Sequence, residues 1–188
     1  MISIIIPVLN EASTISTLLN DIAEKASLQN ISEIIMVDGG STDATFDLAF
    51  QFCEKLPLVI LKSDKGRAKQ MNLGAGNATG EILYFLHADT VLPYHFDSQI
   101  ISEILKGNLA GCFRMKFDSQ HPILKMSQWF TRFNFKSCRG GDQTLFITSE
   151  LFRKLKGFNE AYTVYEDCEF INRIYDQFHF TIIKDYVT

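Results

Sequence analysis

A carboxylate and an imidazole follow a strongly apolar run in the middle of the chain. Residues 83–90 read Leu-Tyr-Phe-Leu-His-Ala-Asp-Thr, which places His87 and Asp89 just after four apolar residues. Such a run is typical of a central parallel strand buried on both faces, and ligands bind beyond the carboxyl ends of strands in open α/β sheets. An Asp carboxylate suits Mg²⁺ or Mn²⁺, which often bridge protein carboxylates to phosphate oxygens. We therefore expect a metal and phosphate site at Asp89.

The spacing of His87 and Asp89 matches the strand period of two. Both side chains should face the same way if the strand continues through Asp89. The alternative role for Asp89 is to cap the helix expected after Pro93, but an N-cap belongs next to the first helical turn. We therefore favour the ligand role.

A second carboxylate, Asp38, ends another apolar run, predicted to be a strand at residues 34–37. At the same edge of the sheet it can accept hydrogen bonds from a ribose or a base N–H group. Alternatively, Asp38, Ser41 and Asp43 only satisfy N–H groups of the turn and of the next helix. We favour this structural role for Ser41 and Asp43 and the ligand role for Asp38.

A basic segment precedes the strand that leads to Asp89. Lys65 and Arg67 flank Gly66 at the start of a helix predicted to continue to about Asn77. A helix N-terminus beside two cations attracts anions through its N–H groups and its dipole, and Gly66 lets the backbone approach closely. A diphosphate fits this pattern, although a basic cluster of this size is more often a solvated helix face.

Three acidic residues, Glu166, Asp167 and Glu169, begin a predicted amphipathic helix. Acidic residues at a helix N-terminus stabilise the helix dipole, and this effect alone can explain them. A carboxylate at this position can also act as a general base that takes a proton from a hydroxyl nucleophile.

The elements that position these residues alternate between strand and helix in the first half of the chain. Strands are predicted at residues 2–6, 34–37 and 58–61, and Pro7 is predicted to end the first of them by removing an N–H group. Asn10 is predicted to cap the helix that follows. Strands joined by helices imply right-handed βαβ crossovers and a mostly parallel sheet in an α/β domain.

Composition limits the class of protein. The chain has 188 residues, of which 46% are hydrophobic, so one domain can bury a full core. A net charge of −4 argues against a general nucleic-acid binder. The four widely spaced cysteines indicate reduced thiols rather than a zinc site or disulfides. Because no signal peptide or membrane-spanning run is recognisable, we expect a cytoplasmic protein, with peripheral contact at the inner face of the membrane as one option.

Six motifs in order resemble the family-2 glycosyltransferases of GT-A fold, and together they cover most of the chain. They are Ile-Pro-Val-Leu-Asn-Glu (6–11), Val-Asp-Gly-Gly-Ser-Thr-Asp (37–43), Lys-Gly-Arg-Ala-Lys-Gln-Met-Asn-Leu-Gly-Ala (65–75), Leu-His-Ala-Asp (86–89), Gly-Gly-Asp-Gln (140–143) and Tyr-Glu-Asp-Cys-Glu-Phe (165–170). The resemblance implies a Rossmann-like, three-layer α/β/α fold with a mostly parallel mixed central sheet. It also implies transfer of a sugar from a nucleotide-sugar donor, usually UDP-linked, to an acceptor hydroxyl.

The resemblance assigns roles to individual residues. Asp167 would be the general base, with Glu166 as the alternative, and attack opposite the leaving group would invert the anomeric configuration. A divalent cation, Mn²⁺ or Mg²⁺, at Asp89 would neutralise the charge on the departing diphosphate. The nucleotide sugar would be bound by Pro7, Asn10, Glu11, Asp38, Lys65, Gly66, Arg67, His87, Ala88 and Asp89.

One position departs from the family's Asp-x-Asp metal motif, because His87 stands where the first Asp is usual. An imidazole can bind Mn²⁺ but is a poor ligand for Mg²⁺. Either the ion relies on Asp89, phosphates and waters, or His87 joins Asp89 as a ligand and favours Mn²⁺. Similar Leu-His-Ala-Asp versions occur in one bacterial branch of the family.

By this resemblance residues 1–188 form one domain, with a nucleotide-sugar half (1–92) and an acceptor half (93–188). Relatives commonly carry further C-terminal residues, so we expect the chain to be C-terminally short. The acceptor is expected to be a glycan, a lipid-linked molecule or a small molecule of bacterial cell-envelope polysaccharide or glycolipid synthesis. A non-catalytic nucleotide-sugar-binding module that supports a partner enzyme is the alternative function.

The second half alternates less regularly and is predicted to carry the acceptor site. Residues 111–117 alternate between apolar and polar, which predicts a half-solvated, antiparallel strand lining the acceptor groove. Residues 123–136 mix aromatic and basic side chains, which can lie on a membrane surface or, more simply, pack in the core. Gly141 permits close approach to a sugar, and Asp142 and Gln143 can bind its hydroxyls, although a plain turn also explains them.

Overall fold

The computed structural model describes residues 1–116 and 143–188 of the chain. The strands in these ranges are β1 (Ile2–Val8), β2 (Ile31–Asp38), β3 (Leu58–Lys62), β4 (Ile82–Phe85), β5 (Ala110–Met115), β6 (Leu145–Thr148) and β7 (Thr181–Val187). The α-helices are α1 (Ile15–Lys25), α2 (Thr45–Phe50), α3 (Arg67–Asn77), α4 (Phe96–Leu105), α5 (Ser149–Lys154) and α6 (Glu166–Gln177).

The strands form one mixed sheet in the order β3-β2-β1-β4-β6-β5-β7. β1 is parallel to β2 and β4, and β3 is parallel to β2, whereas β6 is antiparallel to β4 and β5. Because side chains alternate along a strand, Ile4 and Ile6 pack with α1, α2 and α4, and Ile5 packs with α3, α5 and α6. The prediction of a three-layer α/β/α fold with a mostly parallel mixed sheet is confirmed.

Pro7 lies inside β1, so the prediction that it ends the strand is wrong. Its partner in β2 is Val37. The carbonyl of Ile5 accepts the N–H of Leu86 at 3.0 Å, on the side of β4, and Pro7 points to the same side because backbone groups alternate along a strand. The pairing of β4 ends at Phe85, so the missing N–H of Pro7 removes no bond of the ladder.

Asn10 is not the cap of α1, because that helix begins at Ile15 with Thr14 at its N-cap position. Asn10 instead has a positive φ of 59°, a conformation that Asn adopts more readily than most residues. Its side-chain oxygen accepts the N–H of Thr42 at 2.8 Å, and its own N–H donates to the hydroxyl of Ser41 at 2.9 Å. Asn10 thereby ties the turn after β1 to the turn after β2.

β5 is more buried than the alternating pattern predicts. Ala110, Gly111, Cys112 and Phe113 are all buried, because both faces of β5 are covered: Phe113 packs in one core cluster, and Ala110 and Cys112 pack in the other. The prediction of an antiparallel strand is right for the pairing with β6 but not for the pairing with β7, which is parallel. No strand is predicted where β7 forms. The aromatic segment at residues 123–136 lies outside the described residues.

The helices follow the predictions closely. α3 begins at Arg67 and ends at Asn77, and α4 and α6 also form where they are predicted. α5 ends at Lys154, and Gly157, with φ of 64°, donates its N–H to the carbonyl of Phe152 at 3.1 Å, as expected of a glycine that ends a helix. None of the helices in residues 1–116 and 143–188 has the length and hydropathy that crossing a bilayer requires.

A polar network ties the amino-terminal ends of the central strands together. Ser3 in β1 is fully buried, donates its hydroxyl proton to Glu33 in β2, and accepts the N–H of Gly80 at 2.8 Å. Glu33 also accepts the N–H of Thr79 at 3.0 Å and the hydroxyl of the same residue. Burial raises the pKa of Glu33, but these hydrogen bonds together hold it below its usual value. The network therefore stabilises the ionised carboxylate.

Candidate functional site

A cavity of about 730 Å³ lies beyond the carboxyl ends of β1 and β4. Its walls come from the end of β1, the start of α3, the loop after β4 and the segment that precedes α6. The lining residues are Pro7, Val8, Leu9, Glu11, Lys65, Gly66, Arg67, Ala68, Lys69, Gln70, His87, Ala88, Asp89, Glu160, Tyr162 and Thr163. Eight of the ten residues predicted to bind the nucleotide sugar line this cavity, and Asn10 and Asp38 do not.

His87 and Asp89 reach the cavity from a loop rather than from a strand. β4 ends at Phe85, and the N–H of Thr90 donates to the carbonyl of His87 at 3.2 Å, which closes a turn over residues 87–90. The strand therefore does not continue to Asp89, so the condition under which strand alternation would point both side chains the same way is not met. Both side chains still line the cavity, and Asp89 is exposed to it.

The basic segment supplies the opposite wall. Gly66 has φ of 143°, a conformation that L-residues rarely adopt, and its carbonyl accepts the N–H of Gln70 at 2.9 Å, which starts α3. Lys65 and Arg67 therefore stand beside the N-terminus of an 11-residue helix that faces the cavity. An anion placed there would meet both positive side chains and the positive end of the helix dipole.

Arg67 joins the basic segment to the two acidic residues that begin α6. Its Nε lies 3.4 Å from Glu166 Oε1, and its Nη2 lies 3.4 Å from Asp167 Oδ2. Glu166 and Asp167 are only 3% and 8% exposed, respectively, and neither lines the cavity. The two predicted catalytic carboxylates, almost 100 residues later in the chain than Arg67, are thus linked to the cavity by their contacts with Arg67.

Arg67 also contacts His87. Its Nη2 lies 3.1 Å from Nδ1 and 3.2 Å from Nε2 of the imidazole. The amino group is nearly equidistant from the two ring nitrogens, and which nitrogen accepts depends on the tautomer of the imidazole. The guanidinium therefore lies between the imidazole and the acidic pair.

The turn after β2 uses its polar side chains as expected. Asp38 is 5% exposed. Its Oδ1 accepts two hydrogen bonds from Ser41, one from the backbone N–H at 2.8 Å and one from the side-chain hydroxyl at 2.7 Å. The hydrogen bond from the Thr45 hydroxyl lowers the pKa of Asp43, which also accepts the N–H of Ala12 at 3.1 Å. Ser41 and Asp43 thus have the structural role predicted for them. Oδ1 of Asp38 also has a structural role, because it accepts hydrogen bonds within the turn.

Gln70 is a site residue that sequence reasoning did not single out. It is 4% exposed, and its amide nitrogen donates to the carbonyls of Val8 and Val37, each at 2.8 Å. A Cβ at Gly39 would lie 3.0 Å from the amide group, so a larger residue at position 39 would require the Gln70 side chain to shift by a few tenths of an ångström. One side chain of α3 therefore holds the carboxyl ends of β1 and β2 together. The available signal was a polar residue on the apolar face of a helix.

The wall formed by Glu160, Tyr162 and Thr163 was also not predicted. Asn72 of α3 holds it, because its Nδ2 donates to the carbonyl of Phe158 and to Glu160, each at 2.9 Å. Its Oδ1 in turn accepts the N–H of Phe158 at 2.9 Å. Three polar residues thereby come to the cavity from a loop of 11 residues, between α5 and α6, that shows no periodic pattern.

The donor atoms around Asp89 fit a divalent cation only in part. No group of three or more His, Cys, Asp or Glu side chains suited to a metal occurs in the two described ranges. Asp89 supplies one hard oxygen ligand, so oxygens of the ligand and of water would have to complete the coordination shell. A cation bound to His87 would require Arg67 to move away from the imidazole.

Of the three predicted acceptor residues, only Gln143 belongs to the described ranges, and Gly141 and Asp142 lie outside them. Gln143 is 6% exposed, and its Oε1 accepts a hydrogen bond from the thiol of Cys112, with a sulfur to oxygen distance of 3.6 Å. It does not line the cavity. Cys53, Cys112 and Cys168 carry reduced thiols, as predicted for these three cysteines.

Solved structures with the same fold include two glycosyltransferases. Staphylococcus aureus TarS 1-349 in complex with UDP-GlcNAc matches 98% of this chain and 57% of that chain, with a TM-score of 0.83 and 20% identity. The mannosyltransferase PcManGT from Pyrobaculum calidifontis, in complex with GDP-Man and Mn²⁺, matches 99% of this chain and 55% of that chain, with a TM-score of 0.81 and 20% identity. At this level of identity the likeness shows the fold alone.

Sequence relatives point to the same family. A PGL/p-HBAD biosynthesis glycosyltransferase of Mycobacterium tuberculosis (strain ATCC 25618 / H37Rv) is 43% identical over 95 residues, which are 49% of this chain and 36% of that protein. The chain spans about a third of the length of such curated relatives. The model of the family described as "Glycosyl transferase family 2" matches residues 3–177. The chain therefore belongs to glycosyl transferase family 2.

Proposed function

We propose that this chain transfers a sugar from a nucleotide-sugar donor, most simply a UDP sugar, to an acceptor hydroxyl with inversion at the anomeric carbon. One observation carries the proposal. The cavity at the carboxyl ends of the parallel strands places a carboxylate, Asp89, opposite the basic start of α3, and Arg67 links that wall to the buried acid Asp167. Diphosphate binding and proton removal thus have their groups in adjoining positions.

The donor is held at the cavity by its charges and by its nucleoside. The diphosphate lies at the start of α3, where Lys65, Arg67 and the helix N–H groups offset its charge. The nucleoside lies against the end of β1, near Pro7 and Glu11, with Asn10 and Asp38 in the two turns behind it. Binding of UDP-GlcNAc by TarS and of GDP-Man by PcManGT supports a nucleoside diphosphate sugar and leaves the base to experiment.

A divalent cation, Mn²⁺ or Mg²⁺, fits this site at Asp89 together with diphosphate oxygens. When bound, it neutralises negative charge on the leaving diphosphate. Mn²⁺ in the PcManGT complex supports this assignment. Ala88 lines the cavity beside Asp89, and its small side chain leaves room for the diphosphate.

Asp167 acts as the general base. Its carboxylate takes the proton of the acceptor hydroxyl while the hydroxyl oxygen bonds to the anomeric carbon and the bond from that carbon to the diphosphate oxygen breaks. The electron pair of the broken bond leaves with the diphosphate. Attack from the opposite side inverts the anomeric configuration. Glu166 is the alternative base, but it is the more buried of the two.

The acceptor binds on the side of residues 93–188, with Gly141, Asp142 and Gln143 near its hydroxyls. Glycan or lipid-linked acceptors of a bacterial envelope fit a family whose members include the mycobacterial PGL/p-HBAD glycosyltransferase. Such an acceptor would bring the protein to the inner face of the membrane. Residues 1–92 then form the donor half of one domain.

The test combines binding with turnover. Calorimetry with UDP and GDP sugars plus Mn²⁺ identifies the donor, and release of nucleoside diphosphate measures transfer to a mixed acceptor pool and to water. Asp167→Asn should retain donor binding and lose at least about 100-fold in turnover, as expected for a general base. Asp47→Asn, at an exposed position on α2, is the matched control.

Two outcomes would contradict the proposal. If no nucleoside diphosphate sugar binds, the site has been misassigned. If a donor binds but turnover is undetectable in the native chain, the result would favour a nucleotide-sugar-binding module. Turnover that is indifferent to Asp167→Asn would move the role of base to another residue, with Glu166→Gln as the next variant.

A further inference from the structure

We propose that Arg67 is a shared cation, which pairs with Glu166 and Asp167 in the arrangement described here and moves to the donor diphosphate when a donor binds. The exchange uncovers the carboxylate of Asp167 toward the cavity. This inference rests on the proposed function and deepens it, because it makes access to the base depend on the presence of donor.

The position of Arg67 supports this exchange. Its side chain is 37% exposed and lines the cavity, whereas the side chains of Glu166 and Asp167 are 3% and 11% exposed and do not line it. The guanidinium therefore stands between the cavity and the acids. A small rotation of the Arg67 side chain toward Lys65 would expose Asp167 without moving a helix.

The contacts of Arg67 with the acids are long for ion pairs. Both are 3.4 Å, whereas strong charge-assisted hydrogen bonds span 2.7 to 2.9 Å. On the same helix, α6, Arg173 contacts Glu169 at 2.7 Å. Arg173 also donates to the carbonyl of Gly157 at 2.7 Å, which fixes it further. The two ion pairs of Arg67 with these acids are therefore longer than the ion pair of this neighbouring arginine.

Competition for one cation gives the exchange a driving force. The guanidinium of Arg67 faces the carboxylates of both Glu166 and Asp167. A diphosphate bound beside it would compete with those carboxylates for the same cation. His87, whose ring nitrogens lie 3.1 and 3.2 Å from Arg67 Nη2, lines the cavity beside the guanidinium. It follows that the negative charge of Asp167 lowers the affinity for diphosphate, because both groups compete for Arg67.

A double-mutant cycle tests this coupling without knowledge of the acceptor. UDP affinity is measured by calorimetry at one fixed Mn²⁺ concentration and ionic strength for the native chain, Asp167→Asn, Arg67→Met and the double variant. In the native background Asp167→Asn should tighten UDP binding by about fivefold or more, because Arg67 is released to the diphosphate. In the Arg67→Met background the same substitution should change UDP affinity by less than about twofold.

The controls separate coupling from general electrostatics and from unfolding. Glu169→Gln removes another carboxylate from the first turn of α6, but its partner is Arg173, so UDP affinity should stay within about twofold. Thermal melting shows whether each variant is folded. If Arg67→Met does not fold, Arg67→Lys replaces it, and the coupling should then be smaller because an ammonium lacks the guanidinium's fork.

Two results would overturn the inference. If Asp167→Asn tightens UDP binding equally with and without Arg67, the carboxylate acts on UDP by direct electrostatic repulsion alone. If Asp167→Asn does not tighten UDP binding in the native background, Arg67 is not shared. Both results leave UDP binding, and so the proposed function, intact. A native chain that binds no UDP or GDP at all would overturn the inference together with the proposed function.

Discussion

The side-chain amide of Asn72 forms hydrogen bonds with both backbone groups of Phe158, its N–H and its carbonyl. Asn72 Oδ1 accepts the N–H of Phe158 and its Nδ2 donates to the Phe158 carbonyl, both at 2.9 Å. The residues are 86 positions apart. This pair fixes the segment that carries Glu160, Tyr162 and Thr163 to the helix whose first residue is Arg67. Asn72 therefore holds the far wall of the cavity, formed by Glu160, Tyr162 and Thr163, against the helix that supplies the basic wall.

The first prediction concerns this support. Asn72→Ala leaves both backbone groups of Phe158 without their partner, which should lower the free energy of unfolding by about 1–3 kcal/mol. It should also weaken binding of the nucleotide sugar, because the far wall is no longer held. Denaturant unfolding and calorimetry measure the two effects.

Asn77→Ala is the matched control for Asn72. Asn77 lies at the end of the same helix and donates only to the carbonyl of Leu73, at 2.8 Å. We expect it to leave donor affinity unchanged. If Asn72→Ala binds donor like the native chain, the far wall does not contribute to donor binding.

The second prediction concerns Gln70. Gln70→Met keeps the shape of the side chain but removes the donor that bonds Val8 and Val37. Two hydrogen bonds would be lost, although the Val8 carbonyl would still accept the N–H of Gly39 at 3.0 Å, so we expect a loss of about 1–3 kcal/mol in the free energy of unfolding. Because these carbonyls end β1 and β2, UDP affinity should fall as well. Unfolding curves and calorimetry at a temperature where the variant is folded test both statements.

Gln51→Met provides the comparison, since Gln51 is exposed at the end of α2. It should change neither stability nor affinity. A Gln70→Met variant that loses stability but binds UDP normally would show that Gln70 supports the sheet without positioning the site.

The third prediction is the pH dependence that Glu33 causes. Its pKa in the folded protein lies below the usual value of 4.5, so the ionised form contributes stability that is present above the unfolded-state pKa and is lost as pH falls through the folded-state pKa. At pH 7, Glu33→Gln should unfold more easily by about 1–2 kcal/mol. The difference between native and variant should shrink as pH falls below about 4.5.

Thermal unfolding of both proteins from pH 7 to pH 3 measures this difference. Glu54→Gln, at an exposed position, should show no such dependence. If the difference in stability between the native chain and Glu33→Gln stays constant over this range, the ionised form of Glu33 is not stabilised in the folded state.

The fourth prediction concerns the divalent cation. If Asp89 holds it, removal with a chelator should weaken UDP binding by the native chain about tenfold, equivalent to ~1.4 kcal/mol. In Asp89→Ala the chelator should change the affinity by less than about twofold. Asp47→Ala should respond like the native chain. Equal chelator effects in Asp89→Ala and the native chain would place the cation elsewhere.

The sequence by itself predicted most of the elements and most of the residues that line the cavity. Apolar runs specified β1, β2 and β4 because a strand buried on both faces needs a continuous hydrophobic stretch. The glycine at 66 and the periodic residues after it specified where α3 begins. Eight of the ten residues predicted to bind the donor line one cavity, because parallel strands bring their carboxyl ends to one edge.

Only the tertiary structure decided the contacts between distant segments. Pro7 remains in β1 because its missing N–H lies beyond the paired part of β4, and Asn10 bonds the turn after β2 instead of capping α1. The pairing of Arg67 with Asp167 and the bonds of Gln70 to β1 and β2 depend on the strand order and on which helices cover each face of the sheet. Local pattern fixes helix or strand over a few residues, whereas these contacts join residues 30 to 100 positions apart and require packing of the whole domain.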